Sequence, residues 1–233
     1  MKTVGIVGGI APESTIDYYR QLIASYRKQR GDNSYPSILI VSIDVTRVLG
    51  LVAEGRLGDL TGYLHQAVDR LARGGADFGL LAANTPHIVF DELSRLSPIP
   101  LLSIVEAACD AAAELQLESV GILGTRSTME GRFYSEVFAR RGIAVRPPAP
   151  EDLTYVHEKY VTELVNGSFR SETRQGLMRV IGRLKGAGAQ GILLAGTELP
   201  LLLRDVPDMG VPLLDTTQIH VRRAVAELLG NGI

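Results

Sequence analysis

Residues 80–87 read LLAANTPH, and residues 193–200 read LLAGTELP. In each stretch small and apolar residues lead into a turn that carries a threonine. Each follows a Gly-Ala pair, Gly75-Ala76 and Gly188-Ala189, at the same distance, so the copies lie 113 residues apart. A short apolar run closed by polar residues is the mark of a buried parallel strand whose C-terminal end faces a ligand. Two such ends in one chain predict two half-sites facing each other across one cleft.

Outward from these stretches, apolar runs alternate with amphipathic segments. In the first half, runs at 4–9, 37–44, 78–83 and 100–104 read as strands. Helices are expected at about 11–28, at 59–73 with Asp59 as its cap and Gly74 as its stop, and at about 106–115. The pattern then restarts. Strands are expected at 120–124, 143–146, 192–195 and 211–214. Helices should follow 125–128 and cover 151–165, then a segment that Ser171 caps, and finally 217–229. GIVGG at 5–9 answers GILGT at 121–125, and Tyr18 answers Tyr134, both at an offset of 116 residues. IPLLS at 99–103 answers VPLLD at 211–215 at an offset of 112. Three anchors at nearly one spacing indicate an internal duplication. The fold class is therefore α/β, with two pseudo-symmetric Rossmann-like lobes built on parallel sheets.

Composition narrows the function. The chain has 233 residues, 24 basic against 26 acidic, for a net charge of −2. That balance makes no electrostatic case for nucleic acid or an anionic membrane. No apolar run reaches the roughly 20 residues of a membrane span. The start, MKTVGIVGG, enters a strand at once and lacks a signal-peptide pattern, so a cytoplasmic location is expected. One cysteine, Cys109, excludes an internal disulfide; it falls in a helix and reads as packing. The glycines at 5, 8 and 9 do not make GxGxxG, and no Walker sequence occurs, which disfavours NAD and nucleotide triphosphates. The four histidines, His65, His87, His157 and His220, share no metal-ligand spacing, and His65 and His157 are expected on exposed helix faces. None of the four lysines follows a strand as a Schiff-base lysine would, so PLP is disfavoured. No cofactor and no metal are expected.

What the strand ends supply is hydroxyls, amides and carboxylates. Glu13, Ser14 and Thr15 follow the first strand, Asp44 and Arg47 the second, and Asn84, Thr85 and His87 the third. In the other half these are Thr125, Ser127 and Thr128, then Thr197 and Glu198, then Asp215, Thr216, Thr217 and His220. The hydroxyls, the amide and the helix N-termini among these donate to an anion and suit a small carboxylate, and Arg47 has the fork to bind a second one. Read singly, each Ser or Thr is as well explained as a helix cap.

The stretches GIVGGIAPEST with Tyr18-Tyr19, GADFGLLAANTPH, GILGTRSTMEGRFY, GILLAGTELPLLL and VPLLDTTQIH resemble the aspartate/glutamate racemase family, the PLP-independent amino-acid racemases. They run from end to end of the chain. The resemblance implies two similar lobes, residues 1–104 with 217–233 and residues 105–216, with the active site between them and commonly a homodimer. It implies a small acidic amino acid as substrate; the residues expected to bind it are Ile10, Arg47, Asn84, Thr85, Thr125, Ser127, Thr128, Thr197 and Glu198. Its chemistry uses two cysteines, one removing the α-proton and the other returning one on the opposite face. Here those positions are Ala83 and Gly196, neither of which can carry a proton. Some aspartate-specific relatives also place a lysine just before the glycine matching Gly167, where this chain has Val165 and Asn166.

Three readings follow. A racemase or epimerase would use other proton carriers, Thr85, His87, Thr197 or Glu198. A hydrolase, lyase or isomerase would act on a small carboxylic acid through Glu198 or His87. An inactive small-acid-binding paralogue would have small residues at 83 and 196 that enlarge its pocket.

Overall fold

A computed structural model describes residues 2–230. The chain divides into two compact units, one formed by the residues up to Ile104 together with those from Thr217 onward, the other by Val105–Thr216.

The first unit opens with β1 (Thr3–Gly8), α1 (Pro12–Arg30), β2 (Ser37–Ser42), α2 (Val45–Ala53) and α3 (Leu57–Arg73). It continues with β3 (Phe78–Leu81), a 3-10 turn (Thr85–Val89), α4 (Phe90–Leu96) and β4 (Leu101–Leu102). All strand pairs are parallel, in the order β2-β1-β3-β4. The order reverses between β1 and β3, the place where open α/β sheets bind ligands at the carboxyl ends of their strands.

The second unit takes α5 (Ile104–Glu114), β5 (Ser119–Gly124), α6 (Arg126–Met129), α7 (Arg132–Ala139), β6 (Ala144–Arg146) and α8 (Pro150–Thr162). A 3-10 turn (Leu164–Asn166), α9 (Ser171–Gly186), β7 (Gly191–Ala195), α10 (Leu199–Leu203) and β8 (Leu213–Asp215) complete it. Its sheet is parallel in the matching order β6-β5-β7-β8. The last helix, α11 (Thr216–Leu228), packs in the first unit.

The core of the first unit lies on both faces of its sheet. Val4 and Ile6 of β1 meet Tyr18, Leu22 and Tyr26 of α1 and Val221, Ala224 and Val225 of α11 on one face. Val7 and Leu81 meet Val48 and Leu51 of α2 and Leu60, Leu64, Val68 and Leu71 of α3 on the other. Strands covered on both faces need to be apolar throughout, which is why β1 and β3 read as unbroken apolar runs. The repeated anchor glycines have one job in both units. A Cβ on Gly5 would lie 3.0 Å from Leu71 of α3, and one on Gly121 would lie 3.0 Å from Leu184 of α9. In each unit a helix crosses the first strand too closely for a side chain.

Several expectations need correction. Asp59 does not cap α3; Arg56 holds the N-cap position, and Asp59 sits in the first turn bonded to the Arg56 guanidinium. Ser171 is the first residue of α9 rather than its cap. The short helices α2, α4 and α10 went unforeseen. His65 and His157 are half-buried, not exposed. His65 Nε2 lies 3.1 Å from the Leu96 carbonyl, and His157 Nδ1 accepts from the Arg126 amide at 3.2 Å.

Candidate active site

In the first unit the strand ends are tightly built. Gly9 has φ +83°, the left-handed region, and a Cβ there would lie 2.6 Å from Ser42 Oγ. The Gly9 amide donates to Thr15 Oγ1 at 2.7 Å. Ser14, fully buried in the first turn of α1, donates to the Ala82 carbonyl at 2.6 Å and so ties that helix to the end of β3. Ile10 puts its side chain into the apolar cluster with Val48 and Leu60, which leaves only its backbone for a ligand. Ala83 belongs to the same cluster, and Asn84 and Thr85 follow it, both buried.

His87 is a fastener. Its Nδ1 lies 3.0 Å from the Ala83 carbonyl, and its Nε2 accepts the Ile104 amide at 3.2 Å. The proton must therefore sit on Nδ1 and the lone pair on Nε2 is taken. The ring also stacks on Phe90 at 4.9 Å. Burial, with the nearby His220 ring, pushes its pKa down to about 3. Expected as a general base, His87 has neither a free lone pair nor solvent, and the geometry removes it from that role. His220 is held in the same way. Its Nδ1 meets the Tyr18 hydroxyl at 2.9 Å, its Nε2 meets the Leu102 carbonyl at 3.1 Å, and burial pushes its pKa down to about 4.

Arg47 lies apart from these residues. It is exposed, with its guanidinium 4.3 Å from the centre of the Tyr63 ring. Together they line a cavity of about 480 Å³ between α2 and α3, with Glu54, Arg56, Asp59 and Gln66. None of the other strand-end residues lines it.

In the second unit Thr125 is the N-cap of α6, its Oγ1 accepting the Thr128 amide at 3.3 Å and lying 3.0 Å from Thr128 Oγ1. The Thr125 hydroxyl thus acts as the cap, with the Thr128 hydroxyl beside it, and Ser127 is half-buried. The end of β7 differs. Thr197 donates to Glu198 Oε2 at 3.0 Å, and the Tyr160 hydroxyl of α8 donates to the same oxygen. Burial first, and the Glu198 carboxylate second, push the Tyr160 hydroxyl well above the ordinary tyrosine value. Tyr160 also fills the space beside Gly196. A Cβ on Gly196 would stand 2.9 Å from both Cζ and Oη of Tyr160, and closer still to Cε2. The glycine therefore leaves no enlarged pocket at this position, contrary to expectation, because a phenol occupies the room. Sequence spacing did not single out Tyr160; it reads as one apolar position of α8, with Leu153 and Val156.

Among the described residues no group of three or more His, Cys, Asp or Glu is placed to hold a metal ion, and no helix is long and apolar enough to cross a membrane.

Known proteins share this fold. A Yersinia pestis protein described as a candidate Asp/Glu racemase is 33% identical, with a TM-score of 0.87 over 98% of this chain and 100% of its own. An aspartate racemase homologue from Pyrococcus horikoshii is 32% identical, with a TM-score of 0.80 over 99% of this chain and 100% of its own. The broad specificity amino-acid racemase RacX of Bacillus subtilis is 22% identical over 97% of this chain and 98% of its own length. The model of one family, Asp/Glu/Hydantoin racemase, matches residues 7–224, nearly the whole of both units, and the chain belongs to that family.

Proposed function

We propose that the chain moves the α-proton of a small acidic amino acid, such as aspartate or glutamate, as a cofactor-independent racemase or epimerase whose proton carriers are not cysteines. The observation that carries this reading is the buried polar set at the carboxyl ends of β3 and β7, Asn84 and Thr85 in one unit and Thr197 and Glu198 in the other. Amide and hydroxyl groups supply donors to a carboxylate, and Glu198 supplies a group that accepts a proton. Membership of the racemase family supports the reaction type. The family resemblance adds a homodimer to this reading, and the sequence adds a cytoplasmic setting.

In this reaction a base takes the α-proton, the electron pair spreads into the α-carboxylate, and a proton returned on the opposite face gives the antipode. Incubation with each enantiomer of aspartate and glutamate in heavy water tests it. The expected result is loss of the α-proton resonance and growth of the opposite enantiomer. Four unchanged spectra would overturn the reading.

One observation favours a second reading. Ala83 and Gly196 carry no ionisable group, as in a protein that binds a small acid without turning it over. Binding heat with dicarboxylates, and no exchange, would support that paralogue.

A further inference from the structure

Position 196 is where the family resemblance places the second cysteine, and no side chain fits there while the Tyr160 ring holds its place. The ring brings a hydroxyl with it. That hydroxyl and the Thr197 hydroxyl both donate to one carboxylate oxygen, Glu198 Oε2. Tyr160 is 6% exposed, Thr197 2% and Glu198 1%, so bulk water does not level their proton affinities. A buried, hydrogen-bonded carboxylate at a strand end is costly to keep in the fold, and such groups cluster at functional sites.

We propose that Tyr160 and Glu198 together replace the missing thiol, Tyr160 meeting the substrate's α-proton and Glu198 storing its equivalent. The inference rests on the racemase reading above and names the proton carrier of the second unit. In the step, the substrate Cα–H bond breaks and its electron pair passes into the α-carboxylate. Tyr160 Oη takes that proton while the phenol's own proton moves to Glu198 Oε2. The reverse transfer hands a proton back to the α-carbon. Tyr160 is neutral at both ends of the step. This suits a phenol whose ionisation is strongly opposed by burial and by the neighbouring carboxylate. Alone it would be a poor base; as a relay it never has to hold a charge. The feature that makes room for the relay is Gly196, whose missing side chain admits the ring.

The test compares wild type with Tyr160→Phe and Glu198→Gln, following deuterium exchange at the α-carbon of D- and L-aspartate and D- and L-glutamate. Tyr160→Phe keeps the ring against Gly196 and removes only the hydroxyl; Glu198→Gln keeps an acceptor and removes the proton store. Each variant is expected to lose at least about 100-fold in exchange rate. The loss should be unequal for the two enantiomers, because a group on one face of the α-carbon is base for one and acid for the other. A merely loosened structure would slow both alike. If wild type exchanges and both variants stay within about threefold of it, against the usual general acid–base contribution, the relay is wrong and the racemase reading stands. If wild type exchanges none of the four, the racemase reading falls and the relay with it. Should Tyr160→Phe fail to fold by circular dichroism, Glu198→Gln decides.

Discussion

Gly196→Cys is expected to lower the thermal unfolding midpoint by about 5 °C and to leave α-proton exchange no faster than wild type, although it restores the residue the family resemblance places there. The new Cβ would stand 2.9 Å from Cζ and Oη of Tyr160. The ring cannot simply swing away, since it lies with Leu153 and Val156 on the buried face of α8 and its hydroxyl is bonded to Glu198. Overpacking of this kind costs about 1–3 kcal/mol. Tyr160→Ala alone should cost about 3–5 kcal/mol through the cavity it leaves, by analogy with other large aromatic truncations. In the double variant the thiol enters that cavity, so the two losses should add to less than their sum, by about 1–3 kcal/mol. Urea unfolding of the four proteins measures the coupling. A Gly196→Cys protein as stable as wild type would mean that the ring yields readily and that nothing blocks a thiol.

The second large effect is on acid stability. His87 and His220 are neutral in the folded chain, with pKa values pushed down to about 3 and about 4. Both regain an ordinary value near 6.5 on unfolding. A depressed folded pKa stabilises the protein fully above about pH 6.5, because only the unfolded chain takes up protons as pH falls below that value. Between pH 7 and pH 5 each histidine should therefore remove about 2 kcal/mol of stability, or about 4 kcal/mol together. The decline continues toward the folded pKa values and then levels off. Urea unfolding at pH 7, 6 and 5 should show it, and His220→Gln should flatten the slope by about half. A variant with the wild-type slope would show that His220 is not held neutral in the folded chain.

Most of the fold was legible because its strands are buried on both faces. β1, β3, β5 and β7 had to be continuous apolar runs, and the duplication printed each pattern twice. The short helices were harder. α2 reads VTRVLGLVA, rich in β-branched residues and interrupted by Gly50, so local preference favours no helix there. Packing of Val48 and Leu51 against α3 decides it. The strand-end residues at 84–85 and 197–198 were visible for the same reason as the strands. The role of His87 was not. Its position after β3 resembles that of a catalytic base, and only the bonds to Ala83 and Ile104 show that both ring nitrogens are engaged. Tyr160 was hidden differently, since its partner Glu198 is 38 residues away and no spacing rule connects them. The one clue was a glycine where the family resemblance calls for a side chain.

The course of the chain has a consequence for how the protein is made. Val221, Ala224, Val225 and Leu228 of α11 cover the face of β1 and β3, yet they follow Val105–Thr216 in sequence. A ribosome finishes the whole of the second unit before it supplies that cover. The first unit therefore cannot complete its core until the second has been made, whatever the usual N-terminal-first order. Purified chains truncated after Asp215 should give a protease-resistant fragment from residues 105–215 and none from residues 1–104.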